Sequence, residues 1–168
     1  KQLKVSAKNH DGYTPLHMAA MSGNAKLVKL LCEDSRTSLD AKTKNLLSPL
    51  HVASMYNHEP VVKLLLDSGA NINTKAINDI TPLHEAAKAG SKDVVNLLVS
   101  EPSIELNAKA TDGFTALHFA IHHKHLDVAL ALIELEQIDV NGQGGSDKLT
   151  PLHLAAKWGE EKVVNALL

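Results

Sequence analysis

Apolar positions along this chain come in five aliphatic bursts: LVKLL at 27–31, VVKLLL at 61–66, VVNLLV at 94–99, VALALI at 128–133 and VVNALL at 163–168. Ahead of each burst lies a shorter segment with a pair or near-pair of small residues: Ala19-Ala20, Ala53-Ser54, Ala86-Ala87, Ala120-Ile121 and Ala155-Ala156. That segment opens with a recurring tetrapeptide, Thr14-Pro15-Leu16-His17, then Ser48-Pro49-Leu50-His51, Thr81-Pro82-Leu83-His84, Thr115-Ala116-Leu117-His118 and Thr150-Pro151-Leu152-His153. The spacings are 34, 33, 34 and 35 residues. A fixed period of this length marks a repeat architecture.

Each piece has a mechanical meaning. Thr or Ser can cap a helix with its side-chain oxygen, and Pro suits the first helical position, where its missing N–H would be unpaired anyway. The alanines allow helices to approach closely. Gly23, Gly90 and Gly159 end the first helix, and each aliphatic burst forms a second, antiparallel one. Pro60 falls near the start of such a second helix, where it is tolerated. Segments such as "NINTK", "ELNAK" and "DVNGQ" then run extended toward the next cap. Gly69 supplies a left-handed helix end in the second repeat. The last finger, "NGQGGSD", has an extra residue and three glycines and is expected to be the loosest hairpin.

This constellation resembles the ankyrin repeat. The resemblance implies an all-α solenoid of stacked helix–turn–helix units with short β-hairpin-like fingers, in one domain over 1–168. The repeats are expected at about 11–44, 45–77, 78–111, 112–146 and 147–168. "SIELNAKA" at 103–110 is echoed by "QLKVSAKN" at 2–9, so residues 1–10 read as the tail of a preceding repeat, and the last repeat reads as truncated in its second helix. A five-repeat fragment of a longer, monomeric array is the expectation. Departures from the pattern are modest. The finger-tip Gly survives as Gly12 and Gly113, with Leu46, Asp79 and Lys148 elsewhere; Ala116 replaces Pro, and Asn57 and Lys124 replace the inter-helix Gly.

Composition narrows the function. The chain holds one Trp, two Tyr and two Phe, so aliphatic packing must supply the core. A net charge of −2 argues against nucleic-acid binding driven by bulk charge. The lone Cys32 excludes an intramolecular disulfide; it aligns with Leu66, Val99 and Ile133 as a packed thiol. The chain has no Asn-x-Ser/Thr sequon, and a cytoplasmic location is the expectation. No apolar run is long enough for direct membrane insertion. No phosphate-binding glycine loop is present. The chain is therefore expected to be no enzyme, with no catalytic residue and no cofactor.

The ten histidines pose the one chemical puzzle, because "FAIHHKHLD" at 119–127 resembles a metal site. The repeat resolves it. His17, His51, His84, His118 and His153 are the tetrapeptide histidine, which the resemblance implies bonds the cap hydroxyl and a neighbouring repeat's backbone. His58 and His125 share a polar position at the start of the second helix. His122 and His123 alone depart from the pattern, and no metal site is expected.

The resemblance places binding on finger tips and first-helix ends of a concave face, toward a protein or peptide partner. Two sets of positions follow. The residue before each cap is apolar throughout: Tyr13, Leu47, Ile80, Phe114 and Leu149. The first-helix ends contribute Met21, Met55, Tyr56, Lys88, His122, His123, Lys157 and Trp158. Against this stands the blander possibility that the apolar set simply packs against the adjacent finger. Charge grades along the repeats as +4, 0, −2, −4 and 0, a field that could orient a partner, or that merely reflects solvated outer helices. Asn73 in "LLLDSGANIN" resembles the finger asparagine that an asparaginyl hydroxylase modifies. The rival to a binding role is an elastic spacer within a much longer array.

Overall fold

The computed structural model describes residues 3–168, so the first two residues of the expected 1–10 tail lie outside the described residues. Ten α-helices follow in pairs: α1 (Pro15–Met21) with α2 (Ala25–Cys32), α3 (Pro49–Met55) with α4 (Glu59–Asp67), and α5 (Pro82–Ala89) with α6 (Lys92–Ser100). α7 (Ala116–His122) with α8 (Leu126–Ile133) and α9 (Pro151–Trp158) with α10 (Glu161–Leu167) complete the stack. The odd-numbered helices pack against one another as an inner layer and the even-numbered helices form an outer one, with the closer packing on the inner side.

The tetrapeptide explains why the inner helices start where they do. In α1 the Thr14 hydroxyl faces Nδ1 of His17 at 2.9 Å, while the Thr14 N–H donates to the same nitrogen at 3.1 Å. The His17 N–H reaches the hydroxyl only at 3.4 Å, so the ring rather than the ordinary cap bond holds this turn. The same pair closes at 2.8 Å for Ser48–His51, 2.9 Å for Thr81–His84, 2.8 Å for Thr115–His118 and 2.8 Å for Thr150–His153. Ala116 in place of Pro leaves the pattern intact in α7.

The other ring nitrogen holds the inner helix to the finger that leads into the next repeat. Nε2–H donates to a backbone carbonyl of the following finger: His17 to Leu47 at 3.0 Å, His51 to Ile80 at 2.9 Å, His84 to Ala108 at 3.0 Å and His118 to Gly142 at 3.1 Å. With Nδ1 accepting and Nε2 donating, the ring is neutral. Burial, partly offset by the carbonyl bonds, pushes His51 and His84 down to about 4.

Packing between layers is small against aliphatic. Leu50, Leu83 and Leu117 of the inner helices, with Val62, Val95 and Ala129 of the outer ones, are fully buried. The fingers join edge to edge through single backbone bonds from Lys44 to Asp11, Ile77 to Asn45, Thr111 to Asn78 and Gly145 to Asp112. Across the base of each of the first four fingers one backbone bond runs in a single direction, as from Ala76 N–H to the Ile80 carbonyl. The last finger, expected to be the loosest, is bridged in both directions between Gly144 and Leu149 at 2.9 and 2.7 Å. Its glycines have a purpose: a Cβ on Gly144 would lie 2.0 Å from the Phe114 ring, so that ring needs bare backbone beneath it.

Leu46, Asp79 and Lys148 take the left-handed tip conformation of Gly12 and Gly113, with φ of 58°, 58° and 52°. Side chains resist that region, at a cost of about 1 kcal/mol each.

Candidate interaction surface

The inner-helix ends and finger tips hold the expected site residues, and the structure sorts them into three environments. Tyr13, Leu47, Ile80, Phe114 and Leu149 are half-buried. Their backbones serve the scaffold: the Leu47 and Ile80 carbonyls accept from the preceding repeat's histidine. Tyr13 meets the His17 ring edge-on at 5.6 Å, and Phe114 stacks on His118 at 5.1 Å. Much of each ring is therefore spent internally. Met21 and Met55 are half-buried as well, whereas Tyr56 is 50% exposed and stacks on His58 at 6.2 Å.

Lys88, His122, His123, Lys157 and Trp158 are exposed at the ends of α5, α7 and α9. Rings link them into a strip. Phe119 stacks with His123 at 6.4 Å, His123 meets His122 at 5.1 Å, and His122 meets the Trp158 indole edge at 6.0 Å. Lys124 and Lys157 place their ammonium groups 5.1 and 5.5 Å from the Trp158 ring centre. At His123, burial and the charges of His122, Lys88 and His125 together hold the imidazole below its usual range. Lys88, Lys124 and Lys157 thus gather with two histidines along this edge, and Asp112 contributes to the adjoining cleft.

Beside the strip, a cleft of about 470 Å³ opens between the third and fourth fingers and the inner helices, lined by Ile80, Lys88, Ala110, Asp112 and Phe119 among others. It brings Ile80 and Lys88 together. Tyr13, Met21, Leu47, Met55 and Tyr56 belong to the first two repeats and do not line it. Phe119 was not among the expected contacts, because its position carries Met18, Val52, Glu85 and Leu154 in the other repeats. The equivalent Glu85 lies buried in α5, where burial raises its carboxyl and nearby Lys88 opposes the rise.

The junction below this surface corrects one detail. His58 and His125 stand at the N-termini of α4 and α8 but make no side-chain cap bond. Instead Nε2 of His58 donates back to the Met21 carbonyl at 3.1 Å, and that of His125 to the Lys88 carbonyl at 3.0 Å. Each ring lies across the preceding repeat's glycine: a Cβ on Gly23 would come 2.6 Å from His58, and one on Gly90 2.4 Å from His125. Where Asn57 replaces that glycine, the next repeat carries Ser91, and Asn57 reaches forward to Asp93 at 3.1 Å and to the Val94 N–H at 3.3 Å. Where Lys124 replaces it, the next repeat carries Glu160 and the lysine turns onto Trp158.

Asn73 is a rung in a ladder between loops. Its Nδ2 donates to the Ser103 carbonyl at 2.7 Å and its Oδ1 accepts the Glu105 N–H at 2.9 Å. Asn107, one repeat on, does the same for Gln137 and Asp139. Among the described residues no group of three His, Cys, Asp or Glu side chains could hold a metal ion, and no helix is long and apolar enough to cross a membrane. Cys32 is half-buried, and burial raises its thiol.

Five helix pairs, the first four carrying the buried histidine at His17, His51, His84 and His118, with a cleft on the inner side, define a repeat solenoid. A family profile described as "Ankyrin repeats (3 copies)" matches residues 1–76 and 83–168. The chain belongs to the ankyrin-repeat family. No curated relative matches it. Ankyrin repeats are generally protein–protein interaction modules and typically non-enzymatic.

Proposed function

We propose that this chain is a non-catalytic scaffold that receives a protein or peptide segment along the finger tips and inner-helix ends of its concave side. The observation that carries the reading is the cleft beside Ile80, Lys88 and Phe119, which is continuous through Phe119 and His123 with the exposed His122–Trp158 strip. Exposed aromatic residues set among polar neighbours are the side chains most enriched at interface hot spots. Here Tyr56 and Trp158 keep 50% and 37% of their surface exposed in the folded chain. The scaffold bonds use backbone and buried imidazoles, which leaves this surface free to vary without unfolding the stack.

Random-peptide display on the purified chain supplies a probe where the natural partner is unidentified. Enriched peptides should lose capture on Tyr56→Ala combined with Trp158→Ala while thermal stability stays nearly unchanged. Full affinity in the double variant removes the face, and failure of any peptide to enrich returns the elastic-spacer reading. Asn73 is a second proposal, as a hydroxylation site, supported by its likeness to the family's finger asparagine. Its amide is engaged on both sides, so a modifying enzyme must first open the loop bonds to Ser103 and Glu105. Mass spectrometry of the cell-derived protein showing only unmodified Asn73 removes it.

A further inference from the structure

The cationic strip raises a question that net charge conceals. Repeat four, 112–146, is the most acidic stretch of the chain at −4, and its only Lys or Arg is Lys124. That single cation is not spread over the outer helices with the acids. It sits at the end of α7 with its ammonium 5.1 Å from the Trp158 ring, where Lys157 converges from the next repeat at 5.5 Å. Lys88, from the repeat before, lines the adjoining cleft and contributes to the positive field at His123. Three consecutive repeats with charges of −2, −4 and 0 thus each place a lysine at one inner edge.

None of these three lysines makes an ion pair among the described residues; the ion pairs found there are Arg36–Asp34 and Lys75–Asp79. Acids do lie near them along the chain. Asp127, Glu160 and Glu161 open the outer helices α8 and α10, and Glu85 is buried one turn below Lys88. Yet Lys124 and Lys157 turn to the indole instead, and Lys88 lines the cleft to which Asp112 also contributes. Like charges gathered on an apolar ring repel one another, and that repulsion is relieved when an anion arrives between them. The indole and Phe119 meanwhile offer flat apolar area beside the charges, which suits a side chain next to a carboxylate rather than a bare ion.

We infer that the ends of α5, α7 and α9 form a docking strip for an acidic peptide segment, with Lys88, Lys124 and Lys157 receiving its carboxylates and Trp158 and Phe119 an adjoining apolar side chain. The inference rests on the proposed scaffold role and names the chemistry of its partner. A protein segment fits better than a nucleic acid, because a long polyanion would extend from the strip over the acidic faces of repeats three and four.

The test uses the whole chain and the peptides enriched from a random display. Those peptides should be rich in Asp and Glu beside an apolar residue. Lys88→Glu, Lys124→Glu and Lys157→Glu together should weaken them by about ten-fold or more, increasingly so at low salt. A control with the same change in net charge, Lys26→Glu, Lys29→Glu and Lys63→Glu on α2 and α4, should leave binding within about two-fold. Equal losses in both triples reduce the effect to net charge and overturn the inference. Enriched peptides without acidic bias that are still lost on Tyr56→Ala with Trp158→Ala overturn it and leave the scaffold role standing. No enrichment overturns both. A labelled single-stranded oligonucleotide that binds more tightly than every peptide, and loses binding in the strip triple, replaces the peptide with a nucleic acid and also overturns it.

Discussion

His84 and His123 carry the same side chain into opposite regimes. Between repeats, His84 is buried with both ring nitrogens occupied, one by the cap of its own helix and one by the Ala108 carbonyl of the next finger. At the rim, His123 is exposed and sets its ring beside those of Phe119 and His122. The interior imidazole is specified because the period brings a cap hydroxyl, a cap N–H and a finger carbonyl around it in each of the first four units. At the rim the period fixes the position and leaves the residue open, so Met21, Met55, Lys88, His122 and Lys157 occupy one site in five repeats. Stability lives in the first region, and the proposed recognition in the second.

The strongest way to break this comparison is to attack the interior. His51→Ala leaves a void and strands the Ser48 hydroxyl and the Ile80 carbonyl, and should lower unfolding free energy by about 2–4 kcal/mol in denaturant titration. A loss below about 0.5 kcal/mol would show that the imidazole ladder is ornamental.

Acid should act on the same ladder. His51 and His84 have folded values of about 4, below the ordinary 6.5, so folding favours their neutral form. Their contribution is complete above about pH 6.5 and is lost as pH falls toward 4, on the order of 3 kcal/mol for each. Unfolding midpoints measured from pH 7 down to pH 4 should drop steadily, and His51→Ala should flatten part of that slope. A midpoint independent of pH over this window contradicts neutral, buried rings.

A smaller effect sharpens the boundary between the regions. Gly90→Asn places a side chain against His125 in a left-handed position and should cost about 1–2 kcal/mol. In a His125→Ser background the same change should cost much less, since the chain itself pairs Asn57 with Ser91. Equal costs in both backgrounds would mean that the rings and glycines are uncoupled. Smallest of all, Leu46→Gly should stabilise the second finger by about 0.5–1 kcal/mol, because Leu46 holds φ at 58°.

Much of the scaffold was legible in the sequence because its partners lie within four residues or one period. The tetrapeptide shows the cap, the helix start and the position of the histidine together. The misses share a physical cause: their contacts cross from one repeat to the next between residues that are not period-equivalent. Phe119 faces a cleft whose other wall comes from the fingers. The glycines of "NGQGGSD" answer Phe114 in the previous finger, so a tract that reads as loose is bridged instead. His58 and His125 look like helix caps but bond backward to Met21 and Lys88. One signal was available: Gly23 and Gly90 are followed one repeat later by His, whereas Asn57 and Lys124 are followed by Ser91 and Glu160. Side-chain direction at the rim, such as Lys124 lying over Trp158, has no counterpart in periodicity.

The division between a fixed interior and a recognising rim is tested most directly by amide chemical-shift mapping of the labelled chain during titration with a display-selected peptide. The account predicts shifts concentrated at the ends of α5, α7 and α9 and at the third and fourth finger tips, with α2, α4, α6 and α8 unmoved. Shifts centred on those outer helices, with the inner ends silent, would contradict it.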